Sequence, residues 1–164
     1  MMAEAVALVR DALVVLVWFV VAAVVAAVVW WQVTPLPVYT RTGQGTVMDQ
    51  VQLGGQVAID GWYFLLAVGL GLISGVGLTA WRRRDAVVTV VLVTAGAAGA
   101  AWLAIGIGRW LGPPDPQTLL DHLRVGQHAA VQLELTSHGE WLVWPMAALL
   151  GALGVLWGTS ADSR

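Results

Sequence analysis

Hydrophobic residues fall into four long runs separated by polar segments. The runs cover residues 12–31, 62–81, 86–110 and 141–157. A helix needs about 20 apolar residues to cross the hydrocarbon core of a bilayer, and each run is close to that length. The pattern therefore predicts an all-α transmembrane fold, a four-helix membrane bundle forming a single membrane domain over residues 1–164. Spans two and three are joined only by the short Arg82-Arg83-Arg84-Asp85 turn.

Composition supports this interpretation and removes several classes of function. Of 164 residues, 59% are hydrophobic and 11% charged, against roughly 25% charged in an average soluble domain. A water-soluble monomer is therefore excluded. The absence of cysteine excludes disulfides, thiolate metal sites and cysteine nucleophiles. A net charge of -2 does not suggest nucleic acid as a partner.

The arginines predict the orientation, because basic residues close to span ends are retained in the cytoplasm. One side of the predicted membrane collects Arg10, the triplet at 82–84 and Arg164, and the other side holds Arg41, Arg109 and Arg124. This distribution predicts a multi-pass plasma-membrane protein with both termini in the cytoplasm. The first apolar run is longer than the 7 to 15 residues of a signal-peptide core, so we expect an uncleaved anchor.

The two long connections, residues 32–61 and 111–140, then lie outside. In the first, residues 38–42 and 46–52 flank Gly43-Gln44-Gly45, which is typical of a hairpin. In the second, residues 116–123 have the pattern of a short helix, and residues 129–135 alternate as a half-buried strand. We expect both loops to fold together as a small extracytoplasmic α+β cap.

Small residues recur at helical spacing within three spans. Helices in lipid associate mainly through such residues, because these let the backbones approach closely. We expect spans two and three to meet along their stripes. A substrate path or a dimer face would use the same pattern. The residues expected to mediate helix packing are Gly71, Gly75, Gly96, Ala100, Ala104, Gly108 and Gly151.

Tryptophans cluster at the predicted span ends. This placement is typical of the aromatic belt at a membrane–water interface; a tryptophan-lined sugar or lipid site is the alternative. The outer group is Trp30, Trp31, Trp62, Trp110, Trp141 and Trp144, and the inner group is Trp81 and Trp157.

Few residues are candidates for chemistry. Arg109 is the one charge within a predicted span, and its shallow position favours either snorkelling to the headgroups or an outer-face ion pair with Asp60. The three histidines, His122, His128 and His138, lie in the second loop near carboxylates, but their spacing matches no metal-binding motif. No nucleotide-binding, serine-hydrolase or metalloprotease motif occurs, so no catalytic residue, cofactor or metal is predicted.

Helix-end signatures carry one resemblance. Asp60-Gly61-Trp62-Tyr63-Phe64, Trp81-Arg82-Arg83-Arg84, Leu111-Gly112-Pro113 and Trp141-Leu142-Val143-Trp144-Pro145 resemble those of small actinobacterial four-span membrane proteins, a family defined by a domain of unknown function. The resemblance covers nearly the whole chain and implies topology and class. It implies no functional residue.

Three functional hypotheses follow. The leading one is a non-enzymatic accessory or envelope-associated membrane protein that contacts another membrane or envelope protein through its outer loops. The second is a small transporter or channel built as an oligomer. The third is an envelope enzyme, which would require Asp60, Arg109 and the histidines to converge.

Overall fold

Four helices dominate the fold. The computed structural model describes residues 2–82, 85–116, 118, 123–137 and 139–161. Within these ranges, every one of the four helices is long and apolar enough to cross a membrane. In chain order they are α1 (Met2–Val33), α2 (Gln50–Trp81), α3 (Ala86–Leu111) and α4 (Val143–Ala161).

Three short strands and the 3-10 turn Glu140–Leu142 complete the described architecture. β1 (Val38–Thr42) pairs antiparallel with both β2 (Gly45–Val47) and β3 (His128–Ala130), giving the order β2-β1-β3. The expected association of the two loops is confirmed, because β3 comes from the second loop. The short helix expected at residues 116–123 lies largely outside the described residues. We call residues 34–49 and 123–137 the cap.

The hairpin turn is shorter than expected. Thr42 pairs with Gly45, so Gly43 and Gln44 alone form the connection. Gly45 has a backbone φ of 139°, a conformation that residues with a Cβ rarely adopt. The predicted second strand at 46–52 ends at Val47 instead.

Helix α2 begins twelve residues before the predicted span, because Asp49 caps it. The Asp49 carboxylate accepts hydrogen bonds from the backbone N–H groups of Val51 and Gln52, which satisfies donors that otherwise have no helical partner. At 32 residues, α2 is about 48 Å long, well beyond the ~30 Å hydrocarbon core. Its first turns therefore belong to the cap end of the bundle, where α1 and α3 end. We call the opposite end, where α2 ends and α3 begins, the Arg82 end.

The predicted pairing of the stripes on spans two and three is wrong. The stripe on α2 faces α4: a Cβ on Gly71 would lie 2.7 Å from Ala147 Cβ and 2.8 Å from the Trp144 carbonyl oxygen. The helices approach even more closely at Gly75, where an added Cβ would overlap the carbonyl oxygen of Ala148. From the α4 side, a Cβ on Gly151 would lie 2.8 Å from the Leu72 carbonyl oxygen.

The stripe on α3 faces α1 instead. Phe19 lies against Gly96 and Trp30 against Gly108, so that a ring occupies the space where a Cβ would be. Ala100 and Ala104 are buried in the same core. Both stripes have the same four-residue spacing, so spacing alone does not assign a partner to either. In the structure the large α1 rings pack against the α3 stripe.

Two of the tryptophans assigned to the belt are core residues. Trp30 is 1% exposed and Trp144 is fully buried. The Trp30 indole nitrogen donates to the Ile59 carbonyl oxygen at 2.9 Å, and its ring meets Tyr63 edge-on at 5.4 Å. Trp31, Trp62, Trp81, Trp110 and Trp157 are exposed.

A buried ion pair joins α1 to Arg82, the residue that follows α2. The Arg82 Nε lies 3.2 Å from the Asp11 carboxylate, and each side chain is 8% exposed. Burying two charges costs several kcal/mol per ion unless they are paired. The pair therefore fixes the end of α2 against α1. Arg82 thus has a structural role in addition to the membrane orientation predicted from the arginine triplet.

We predict that Gly75→Ala destabilises the bundle by about 1–3 kcal/mol, as expected for overpacking. The added methyl would overlap the Ala148 backbone, which cannot move without shifting α4. Thermal unfolding in detergent, followed by circular dichroism, measures the effect.

Gly77→Ala is the matched control, since a Cβ there meets no atom within 4 Å. It should leave the melting temperature unchanged or raise it, because alanine favours helix over glycine by up to about 1 kcal/mol. Equal effects of the two substitutions would contradict the packing described for α2 and α4.

Candidate functional site

The candidate site is a cleft between the cap and the first turns of α2. Its volume is about 510 Å³, within the 300–1,000 Å³ typical of ligand sites. We call it the cap cleft. It is lined by Tyr39, Thr46, Gln56, Ile59, Asp115, Pro116, Val131, Gln132, Glu134, Leu135 and Thr136.

The sheet supplies one wall of the cap cleft. Tyr39 is on β1, and Thr46 on β2 pairs with Arg41 of β1, two residues after Tyr39. Residues two apart on a strand point to the same face, so Tyr39, Arg41 and Thr46 share a face. The Arg41 guanidinium donates to the Thr46 hydroxyl at 3.3 Å, which orders this wall.

Helix α2 supplies the opposite wall. Gln56 and Ile59 lie in the turns that precede the predicted span, three residues apart and hence on one side of the helix. Gln52, one turn earlier, accepts a hydrogen bond from the Val38 backbone N–H at 2.9 Å. The start of β1 is therefore held at a fixed distance from α2.

Leu133 anchors the third wall, which comes from the segment after β3. Its side chain is fully buried. It packs against Gly112, where an added Cβ would lie only 2.9 Å from the Leu133 Cβ. The neighbouring Gln132 and Glu134 line the cleft. One buried leucine thus positions two polar side chains.

Arg109 pairs with Glu134 rather than with Asp60 as expected. The guanidinium donates to the Glu134 carboxylate, with both side chains about half exposed. An exposed pair contributes about 1 kcal/mol at most, so its role is mainly to orient Glu134 at the edge of the cap cleft. Arg109 and Glu134 are 25 positions apart in the chain, so the sequence offered no local signal for this pair.

Asp60 holds the same segment from the other side. Its carboxylate accepts a hydrogen bond from the Thr136 backbone N–H at 3.0 Å, and it contacts the carboxyl group of Glu140. Glu140 begins the 3-10 turn Glu140–Leu142 that leads into α4. Asp60 therefore joins α2, the cap and the start of α4 at one point.

Among the described residues, no group of three or more metal-ligating side chains occurs, and His128 is the one histidine of the three that they include. His128 Nδ1 lies 2.9 Å from the Thr40 hydroxyl across the β1–β3 pair. His122 and His138 lie outside the described residues. Asp60, Arg109 and His128 each contact a different partner.

The cap cleft combines hydrogen-bonding groups with charges of both signs. Tyrosine, threonine and glutamine side chains supply donors and acceptors. Asp115 and Glu134 are acidic, but Arg109 pairs with Glu134 and Arg41 shares the face of Tyr39 and Thr46. Ile59, Val131 and Leu135 add an apolar patch. Such a surface suits a polar ligand with some apolar area.

Comparisons with known proteins add no family to this description: no family model, curated protein or solved structure matches the chain. The resemblance to four-span proteins of unknown function stays a prediction.

Proposed function

We propose that the chain is a multi-pass plasma-membrane protein with both termini in the cytoplasm, and that the cap cleft binds a polar extended segment of another membrane or envelope protein. This is a non-enzymatic accessory role. The observation that carries the proposal is the cap cleft itself, with its hydrogen-bonding lining and apolar patch.

The orientation is supported by the charge at the two ends of the bundle. The Arg82 end carries Arg10 and Arg82, and the chain places Arg83 and Arg84 directly after Arg82. Short connections rich in arginine are retained in the cytoplasm. The cap then faces outward, where the cap cleft is accessible to envelope partners.

The walls of the cleft support a binding role because they are held independently of any partner. Three connections fix them: the Val38–Gln52 hydrogen bond, the buried Leu133 and the Asp60–Thr136 hydrogen bond. A site that is already ordered loses little conformational entropy when a ligand binds. A partner segment therefore needs few contacts to bind.

Labelling of single cysteines tests the orientation, since the native chain has no cysteine to interfere. We expect a membrane-impermeant maleimide to label Gln44→Cys, at the exposed hairpin tip, in intact cells. Ser163→Cys should be labelled only after permeabilisation. The reverse pattern would contradict the proposed orientation.

A photo-crosslinking amino acid placed in the cap cleft tests the binding role. With p-benzoylphenylalanine at Gln132, irradiation of native membranes should give a discrete adduct larger than the chain, identifiable by mass spectrometry. The same amino acid at Gln44, outside the cleft lining, is the matched control and should give none.

Absence of any adduct at Gln132, or the same adduct from both positions, would contradict binding in the cleft. An adduct of twice the chain's mass would show self-association, as the oligomeric transporter hypothesis requires.

A further inference from the structure

A second surface, at the Arg82 end, has a different chemistry. An apolar groove of about 450 Å³ runs along α1 beside the last turns of α2, with Arg10 at one extremity. The apolar lining residues are Leu13, Val14, Val17, Trp18, Val21 and Leu78. On α1 they recur at intervals of three and four residues, so they form one continuous face of the helix.

The length of the groove matches one leaflet of a bilayer. From Arg10 to Val21 the helix rises by about 16 Å at 1.5 Å per residue, and half of a ~30 Å hydrocarbon core is about 15 Å. Val21 therefore lies near the bilayer centre when Arg10 lies at the headgroups. An acyl chain in the groove would follow α1 over its whole length within that leaflet.

The charges at the mouth of the groove are unbalanced. Asp11 lies 3.2 Å from Arg82 and 3.6 Å from Arg10, so two guanidinium groups share one carboxylate. Arg82 is buried in this arrangement, whereas the Arg10 side chain is 70% exposed. The surplus positive charge is therefore presented by Arg10 at the level of the lipid headgroups.

One polar group in the wall of the groove, the Trp18 indole nitrogen, already has a hydrogen-bond partner within the protein. The Trp18 indole nitrogen donates to the Ser74 hydroxyl at 2.9 Å, and that hydroxyl donates to the Leu70 carbonyl oxygen at 2.6 Å. These bonds hold the indole ring against α2 and keep its polar atom satisfied. Below Arg10, the groove thus presents apolar surface that complements an acyl chain.

We propose that this groove binds an anionic phospholipid of the leaflet at the Arg82 end, with its phosphate on Arg10 and one acyl chain along α1. The site is separate from the cap cleft and does not depend on the proposed partner. Its occupant would stabilise the α1–α2 contact that the Asp11–Arg82 pair begins.

Native mass spectrometry of the detergent-solubilised full chain tests the proposal. Phosphatidylglycerol and phosphatidylcholine with identical acyl chains are titrated in parallel. One basic residue near a membrane surface contributes about 1 kcal/mol to binding of anionic lipid, equivalent to about five-fold in affinity. We expect phosphatidylglycerol to be retained about five-fold more strongly, and Arg10→Gln to abolish the preference.

Two matched controls separate the site from general effects. Arg124→Gln removes an exposed arginine from the cap and should leave the preference unchanged. Val17→Trp fills the groove and should weaken retention of both lipids, whereas Val91→Trp, on an exposed position of α3 outside the groove, should not.

Three results would overturn the proposal. The first is an unchanged preference in Arg10→Gln, and the second is an equal loss in Arg124→Gln. The third is a lipid-independent dimer that Val17→Trp dissociates, which would show that a second copy of the chain occupies the groove. Size-exclusion profiles and helicity matching the native chain verify that each variant is folded.

Discussion

Close approach of helix backbones at a few glycines is the constraint on which this structure depends. In lipid, apolar helices gain little by burying apolar area against one another, so van der Waals packing must hold them together. Two arrangements supply it here. Between α2 and α4 the backbones nearly touch at Gly75, and between α1 and α3 the rings of Phe19 and Trp30 fill the spaces beside Gly96 and Gly108. A methyl group at these positions would separate the helices.

The same packing determines where the cap lies. Gly108 and Gly112 leave room at the end of α3 for Trp30 and Leu133, so the segment after β3 enters the bundle at that point. The buried Leu133 fixes the segment against the bundle, and Arg109 orients the neighbouring Glu134. The cap cleft is thus a consequence of packing in the bundle. The polar cleft depends on this connection, because the bundle itself offers mainly apolar surface.

Much of the fold could be predicted from the sequence, and the reasons are physical. Four apolar runs of membrane-spanning length gave four helices, and the glycine turn with its flanking residues gave the hairpin. What could not be predicted was which faces meet. The stripes on α2 and α3 have the same spacing, and only the three-dimensional position of Phe19 and Trp30 assigns the α3 stripe to α1. Asp11 and Arg82 are 71 positions apart, so their pairing leaves no local signal. For Arg109 the sequence suggested Asp60 as the partner, whereas the buried Leu133 brings the neighbouring Glu134 to it instead.

The most direct test of this account is a double-mutant cycle between Phe19 and Gly96. Gly96→Ala is introduced into the native chain and into Phe19→Ala, and the free energy of unfolding of each is measured in detergent. The account predicts that Gly96→Ala costs about 1–3 kcal/mol in the native chain, because the methyl overlaps the Phe19 ring. It should cost little or nothing once the ring is removed, giving a coupling energy well above the ~0.5 kcal/mol seen between independent sites. Additive effects of the two substitutions would contradict the claim that rings against glycines hold α1 to α3.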